Sequence, residues 1–260
     1  MVRVVILAAC CALASTLACA AQSEFDPLRR AEDEESASLR WELAGGYTPY
    51  GTEGTGLDGD GQPYRFIRFV DERTISLSAS ITLGSSHKLG ATAADTTSIL
   101  RERRDYATGS VRLESRETAV RYRGFYELRL APTHALDPRL RLVHATPDSL
   151  GVAASISLLL DPVVLLGGVE VSQHSSPHCT WITTTAAGGL VANQRVSYAM
   201  TASLGVPVTA VALPSSSFTF RSVIALDARQ TREIVIAATM SLRGTQAWVS
   251  GRVALRGRGL

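Results

Sequence analysis

The stretch Thr74 to Leu83, TISLSASITL, alternates without a break. Ile75, Leu77, Ala79, Ile81 and Leu83 fall on one side, and Thr74, Ser76, Ser78, Ser80 and Thr82 on the other. Successive side chains of a strand point to opposite faces, so this is a strand with one apolar and one polar face. The same period recurs along the chain. In Val120 to Leu130, the residues Val120, Tyr122, Tyr126, Leu128 and Leu130 oppose Arg121, Arg123, Glu127 and Arg129. Arg232 to Leu242 and Gln246 to Leu255 repeat the pattern, and no stretch after Leu39 has a convincing helical period.

The apolar run Ser155 to Val171 is long enough to suggest a membrane helix. Asp161-Pro162 at its middle and Gly167-Gly168 beyond it argue instead for two strands joined by a tight turn. Proline costs about 3 kcal/mol inside a helix and each glycine about 1 kcal/mol.

Around these strands the sequence describes an exported protein. Met1-Val2-Arg3, the apolar run Val4 to Leu17 and the small-x-small site Ala18-Cys19-Ala20 read as a signal peptide over residues 1–20. A polar tail over residues 21–38, carrying Glu32-Asp33-Glu34-Glu35, precedes the strands. Cys10, Cys11 and Cys19 leave with the signal, so Cys179 is the single cysteine expected in the exported chain, which no internal disulfide can staple.

The chain has 26 basic and 24 acidic residues, and this balance excludes a nucleic-acid partner recognised through bulk charge. Lys88 is the only lysine.

Turns are read at Asp71-Glu72-Arg73, Asp137-Pro138, Thr146-Pro147-Asp148, Asn193-Gln194 and Asp227 to Thr231. Longer loops are read at Gly51 to Gln62, Ser85 to Thr108, Gln173 to Cys179 and Pro207 to Ser217. Strands of about 9–13 residues remain between them, enough to cross a bilayer at a tilt.

Many evenly spaced strands, export without a helical anchor and a polar face of Ser, Thr, Arg and Glu point to an all-β, antiparallel transmembrane barrel over residues 39–260 in a Gram-negative outer membrane. The segmentation gives thirteen strands, but both ends on one side of the membrane require an even number. Merging Pro63–Val70 with Thr74–Leu83 makes the expected count about twelve. Trp41, Tyr47, Tyr50, Trp181, Tyr198, Phe218, Phe220 and Trp248 are the candidate aromatic girdles.

Two runs resemble a known family. Leu160 to Gly168, LDPVVLLGG, is similar to a hairpin of outer-membrane transporters linked to the meta-pathway of phenol degradation. Val191 to Ser197, VANQRVS, looks like that family's periplasmic turn. The resemblance covers roughly Ser149 to Leu260, and the first half matches only in style. It implies a barrel of about twelve strands passing small solutes, hydrophobic or aromatic ones among them, and its relatives include exporters of amyloid subunits. The chain departs from the usual pattern at its end, RGRGL, where such barrels carry an aromatic residue read by the assembly machinery.

Charge facing lipid costs about 2–4 kcal/mol per Arg or Lys at the bilayer midplane. That cost predicts that Arg112, Glu114, Arg116, Arg121, Arg123, Glu127, Arg129 and Arg141 line the lumen. They would either give a water path with a mild preference for anions or neutralise one another and fill it.

No catalytic motif links a histidine to a serine, and no enzyme or cofactor is expected. His174, His178 and Cys179 share one loop without a fourth ligand, and Asp58-Gly59-Asp60-Gly61 starts like a calcium loop but lacks its later positions. The expected partners are outer-membrane lipid and lipopolysaccharide, the barrel assembly machinery and a small-molecule solute. An export channel, a plugged structural barrel and a soluble periplasmic β-protein remain as alternatives.

Overall fold

The computed structural model describes residues 39–259, apart from 134, 147–148, 161, 176–177, 193–194, 209–212, 228–230 and 245. The expected signal peptide and tail therefore lie outside the described residues, as do Asp161 and the Asn193-Gln194 turn.

Twelve antiparallel strands close into one barrel: β1 Leu39–Leu57, β2 Pro63–Leu83, β3 His87–Tyr106, β4 Gly109–Arg129, β5 Leu136–Ala145, β6 Ser149–Leu160, β7 Val163–Ser175, β8 His178–Val191, β9 Val196–Pro207, β10 Ser215–Ala225, β11 Arg232–Arg243 and β12 Gln246–Arg258. Each strand pairs with its neighbours in sequence, and β1 closes on β12 from Arg40↔Arg258 to Tyr47↔Gly251. Closure leaves no sheet edge around the body of the barrel.

The merger over Pro63–Leu83 is the strand β2. LDPVVLLGG spans the junction of β6 and β7, a hairpin as expected.

Exposure runs inside out. Ile75 is 66% exposed while its neighbour Ser76 is 8% exposed. Leu77, Ile81, Leu83, Leu43, Leu142, Ile156, Ile236 and Val253 are likewise exposed, while Thr96, Ser157, Thr185, Thr201 and Ser241 are buried. Water-soluble β-proteins bury their apolar face. Here that face coats the outside, as a surrounding hydrocarbon phase requires.

The twelve strands fall into two groups. β1 to β4 run 19, 21, 20 and 21 residues. β5 to β12 run 10 to 14. At about 3.3 Å per residue, the long strands reach roughly 65 Å, far more than a bilayer needs. The first residues of β1 and the last of β12 mark one end of the barrel, the near end. At the far end the long strands continue past their neighbours.

β1 pairs with β2 up to Leu57↔Pro63, and β3 with β4 up to Tyr106↔Gly109. On the flanks, β1 leaves β12 after Tyr47, and β4 joins β5 only over Arg123–Arg129. The upper halves of β1 to β4 thus form a four-stranded wall above the rim, with two edges that have no strand partner among the described residues.

Several expectations are corrected by this wall. Ser85 to Thr108 is almost wholly β3, and Gly51 to Leu57 belongs to β1. Asp71-Glu72-Arg73 lies inside β2, with Asp71 and Arg73 facing out and Glu72 buried facing in, so polar residues on both faces keep the strand's alternation while imitating a turn. Asp137-Pro138 lies inside β5, and Gln173 to Cys179 is mostly the ends of β7 and β8. The far end is made tall by long strands rather than by long loops. One far-end connection, residues 58–62, is tied by Asp58, whose Oδ1 accepts from the backbone N–H of Asp60 (3.0 Å) and Gln62 (2.8 Å). That turn accounts for the acidic residue of the calcium-like stretch.

Of the girdle candidates, Trp41, Tyr47, Tyr198, Phe218 and Phe220 share the outward register. The Trp41 ring lies flat over Gly257, where a Cβ would come within 2.4 Å of it. Tyr50, Trp181 and Trp248 lie instead on the inward face, with Trp181 buried and the rings of Tyr50 and Trp248 6.1 Å apart.

Candidate functional site: the lumen

β4 decides which charges reach the lumen. It is a single strand, so Arg121, Arg123, Glu127 and Arg129 share one parity, while Arg112, Glu114 and Arg116 have the other. Arg123, Glu127 and Arg129 pair in register with lumen-facing Ala145, Arg141 and Arg139 of β5, and Arg121 shares their parity. The second set shares a face with Tyr122 and Val120, both exposed on the outside. Arg112, Glu114 and Arg116 are therefore on the outer face of the wall, which corrects their expected place. The lipid penalty that argued for the lumen does not apply there, because this part of β4 stands beyond the apolar band. Glu114 instead faces Arg101 at 3.6 Å, Arg101 donates to Asp71 at 3.1 Å, and Tyr47 Oη donates to Asp71 at 2.7 Å.

Inside the barrel, two carboxylates gather the near-end arginines. Glu127 on β4 accepts from Arg139 Nη1 (2.9 Å) and Arg141 Nε (2.9 Å) on β5, and Lys88 of β3 is its register neighbour. Asp137, 0% exposed, accepts from Arg129 Nε (2.8 Å) and Arg139 Nη2 (2.7 Å). The Arg141 guanidinium lies over the Phe125 ring, 4.7 Å from its centroid, and that ring lies flat against Gly90. Any Cβ at position 90 would come within 2.4 Å of the ring. Across the β1–β12 seam, Glu42 accepts from Arg252 and Arg256. Arginine suits these sites because its planar fork satisfies carboxylates with several parallel donors.

Between these networks lies a cavity of about 240 Å³, lined by Arg121, Arg123, Glu72, Arg252, Ser76, Ser78, Thr92 and Thr96. The strands across the barrel offer a different surface. Ala153, Leu166 and Ala187 pack together on the inward face of β6, β7 and β8, beside Ser157, Thr185 and Thr201. The lumen is thus charged on the side of β12 and β1–β5, and small and largely uncharged along β6–β9.

Of the eight charged residues singled out in the sequence, Arg121, Arg123, Glu127, Arg129 and Arg141 share the inward parity. Spacing alone did not single out Asp137, Glu42, Arg252 or Arg256. Asp137 looked like half of a turn, and the others meet across the closing seam, which no local pattern announces. His174 and Cys179 are cross-strand neighbours on β7 and β8, with Cys179 buried. Pro177 of that loop lies outside the described residues.

No protein-family model matches the chain. No curated protein matches it by sequence. Its structural neighbours are outer-membrane channels. An outer membrane channel from Pseudomonas putida F1 is similar over 86% of this chain and 95% of its own, with a TM-score of 0.52 and 10% identity. A Pseudomonas aeruginosa FadL homologue is similar over 86% and 90%, with a TM-score of 0.50 and 7% identity. The KdgM porin is similar over 82% and 98%, with a TM-score of 0.50 and 5% identity. At such identities the likeness is one of fold.

Proposed function

We propose that the chain is an outer-membrane channel that passes small solutes through its lumen without ATP. The observation that carries this reading is the inversion of exposure on a closed barrel: apolar side chains coat the outside, and hydroxyls and arginines coat the inside. That is the surface a barrel presents when lipid surrounds it and water fills it. In this reading the near end faces the periplasm, the wall rises outside the cell, and lipopolysaccharide surrounds its base. The signal peptide over residues 1–20 would direct export, and the barrel assembly machinery would insert the chain.

Arg121, Arg123, Glu127, Arg129 and Arg141 are the proposed lining groups. Arginine outnumbers glutamate among them, so the path prefers anions. The resemblance of LDPVVLLGG to the phenol-pathway transporters supports hydrophobic or aromatic cargo. The uncharged side along β6–β9 would suit the apolar part of such a solute.

Reconstitution of the full-length protein in a planar bilayer tests the reading. Stepwise conductance in potassium chloride is expected. Its complete absence from protein shown to be folded by a heat-dependent electrophoretic shift would make the barrel a plugged structural one.

A further inference from the structure

The inner face of the wall, continuous with the lumen surface, carries features that conduction does not require. Tyr64 and Phe66 of β2 and Tyr106 of β3 lie there, above the apolar band, where no lipid anchors a ring. Tyr64 is 5.4 Å from Tyr106 and 6.3 Å from Phe66 between centroids. Their β1 register partners are glycines: Gly54 faces Phe66, and Gly56 faces Tyr64. A Cβ at either glycine would come within 2.9 Å of the ring, so both rings press against bare backbone, with the Tyr64 plane tilted 53° from Phe66 and 39° from Tyr106.

Two guanidiniums complete the surface. Arg68 lies 5.3 Å from the Phe66 centroid and Arg104 lies 4.9 Å from that of Tyr64. Both are anchored by one carboxylate. Glu102, only 4% exposed, accepts from Arg68 Nε at 2.7 Å and from Arg104 Nε at 2.5 Å. One negative charge therefore holds two positive ones. Each guanidinium has five N–H donors, and both side chains keep about a quarter of their surface in water. The result is a cluster of packed, mutually tilted rings with a residual positive charge and guanidinium donors that reach water.

We propose that this surface binds small planar carboxylates, aromatic acids of the benzoate type, above the mouth of the lumen. A benzoate ion packs its ring among these side chains and sets its carboxylate on a guanidinium. An alkyl carboxylate lacks the ring, and a neutral aromatic lacks the charge. The proposal rests on the channel reading for its purpose, since it names the solute class the channel would admit, but binding itself is measured without conduction.

The test is isothermal titration of the full-length protein in detergent micelles, with folding checked by heat-dependent mobility. Sodium benzoate, sodium acetate and benzyl alcohol are the probes. Benzoate is expected to bind about tenfold more tightly than either of the others. Arg104→Gln and Phe66→Leu, made separately, should each weaken benzoate about tenfold. Should one variant not fold, the other carries the test. Equal affinity for benzoate and acetate, or unchanged benzoate affinity in a folded variant, overturns the proposal. Benzoate binding to a barrel that shows no conductance would leave this site standing and remove the channel reading instead.

Discussion

The lower and upper halves of β1 to β4 are the same strands, yet they obey opposite rules. Below the level of Tyr47, the outward positions are Leu43, Leu77, Ile81 and Leu89, all exposed apolar side chains. Above it charged pairs enter the outward face, as in Arg65 with Glu53 and Arg103 with Asp105, beside the exposed Ile67 and Phe69. The inward face is mixed in both halves, but Tyr64, Phe66 and Tyr106 gather in the wall, while Phe125 stands below it. The surroundings set the chemistry of the outer face, while the period-two backbone stays unchanged. The wall's β4 edge is also managed by charge: Arg112, Glu114, Arg116 and Glu117 lie along it, where they discourage pairing with another strand.

The comparison makes graded predictions. The largest effect belongs to the lumen. Glu127→Ala leaves Arg139 and Arg141 buried without their shared carboxylate, which should cost about 3–5 kcal/mol. Urea unfolding of the vesicle-inserted barrel measures it, and a loss under about 1 kcal/mol would mean the lumen is wet enough to solvate both arginines.

Next comes the outer face, where two substitutions on one strand should part company. Leu77→Arg puts charge into the apolar band and should cost about 2–4 kcal/mol, with less protein in the outer-membrane fraction. Phe69→Arg, on the same face but in the wall, should be within about 0.5 kcal/mol of the parent. Equal losses would place the lipid boundary higher than Tyr47.

A smaller effect separates the buried wall carboxylate from the exposed pairs. Burial opposes ionisation of Glu102, and the hydrogen bonds and charges of Arg104 and Arg68 outweigh it, so its carboxyl titrates below the ordinary 4.5. A lowered folded value contributes stability that is complete above the ordinary value and is lost as pH falls through the folded one. Protection against hydrogen exchange in the upper halves of β2 and β3, corrected for the intrinsic rate at each pH, should therefore hold down to about pH 5 and fall below about pH 4. Glu102→Gln should flatten that dependence. Arg103→Ala, which removes an exposed pair, should change stability by about 0–1 kcal/mol at any pH.

The sequence makes these regions unequally legible. TISLSASITL shows its two faces directly, because within it every outward residue is apolar and every inward one carries a hydroxyl. In the wall, Phe69, Asp71 and Arg73 point out while Arg68, Val70 and Glu72 point in, so hydropathy no longer alternates although the backbone still does. That stretch reads as a turn, and the continuity of β4 is hidden in the same way. Parity assigns faces only once a strand's limits are known, which is why Arg112, Glu114 and Arg116 were expected beside Arg121. The Glu127 cluster required the β4–β5 register, and the Glu42 cluster required closure of β1 on β12. Both are long-range facts that no local period encodes.

The most direct measurement is the reversal potential in a potassium chloride gradient for two charge-reversed forms of β4. Arg121→Glu with Arg123→Glu alters the inward face and should move selectivity from anions towards cations. Arg112→Glu with Arg116→Glu alters the outward face of the same strand by the same charge and should leave the potential where it was. Equal shifts for both pairs, or a shift for the outer pair alone, would contradict the assignment of a conducting lumen to the inward face.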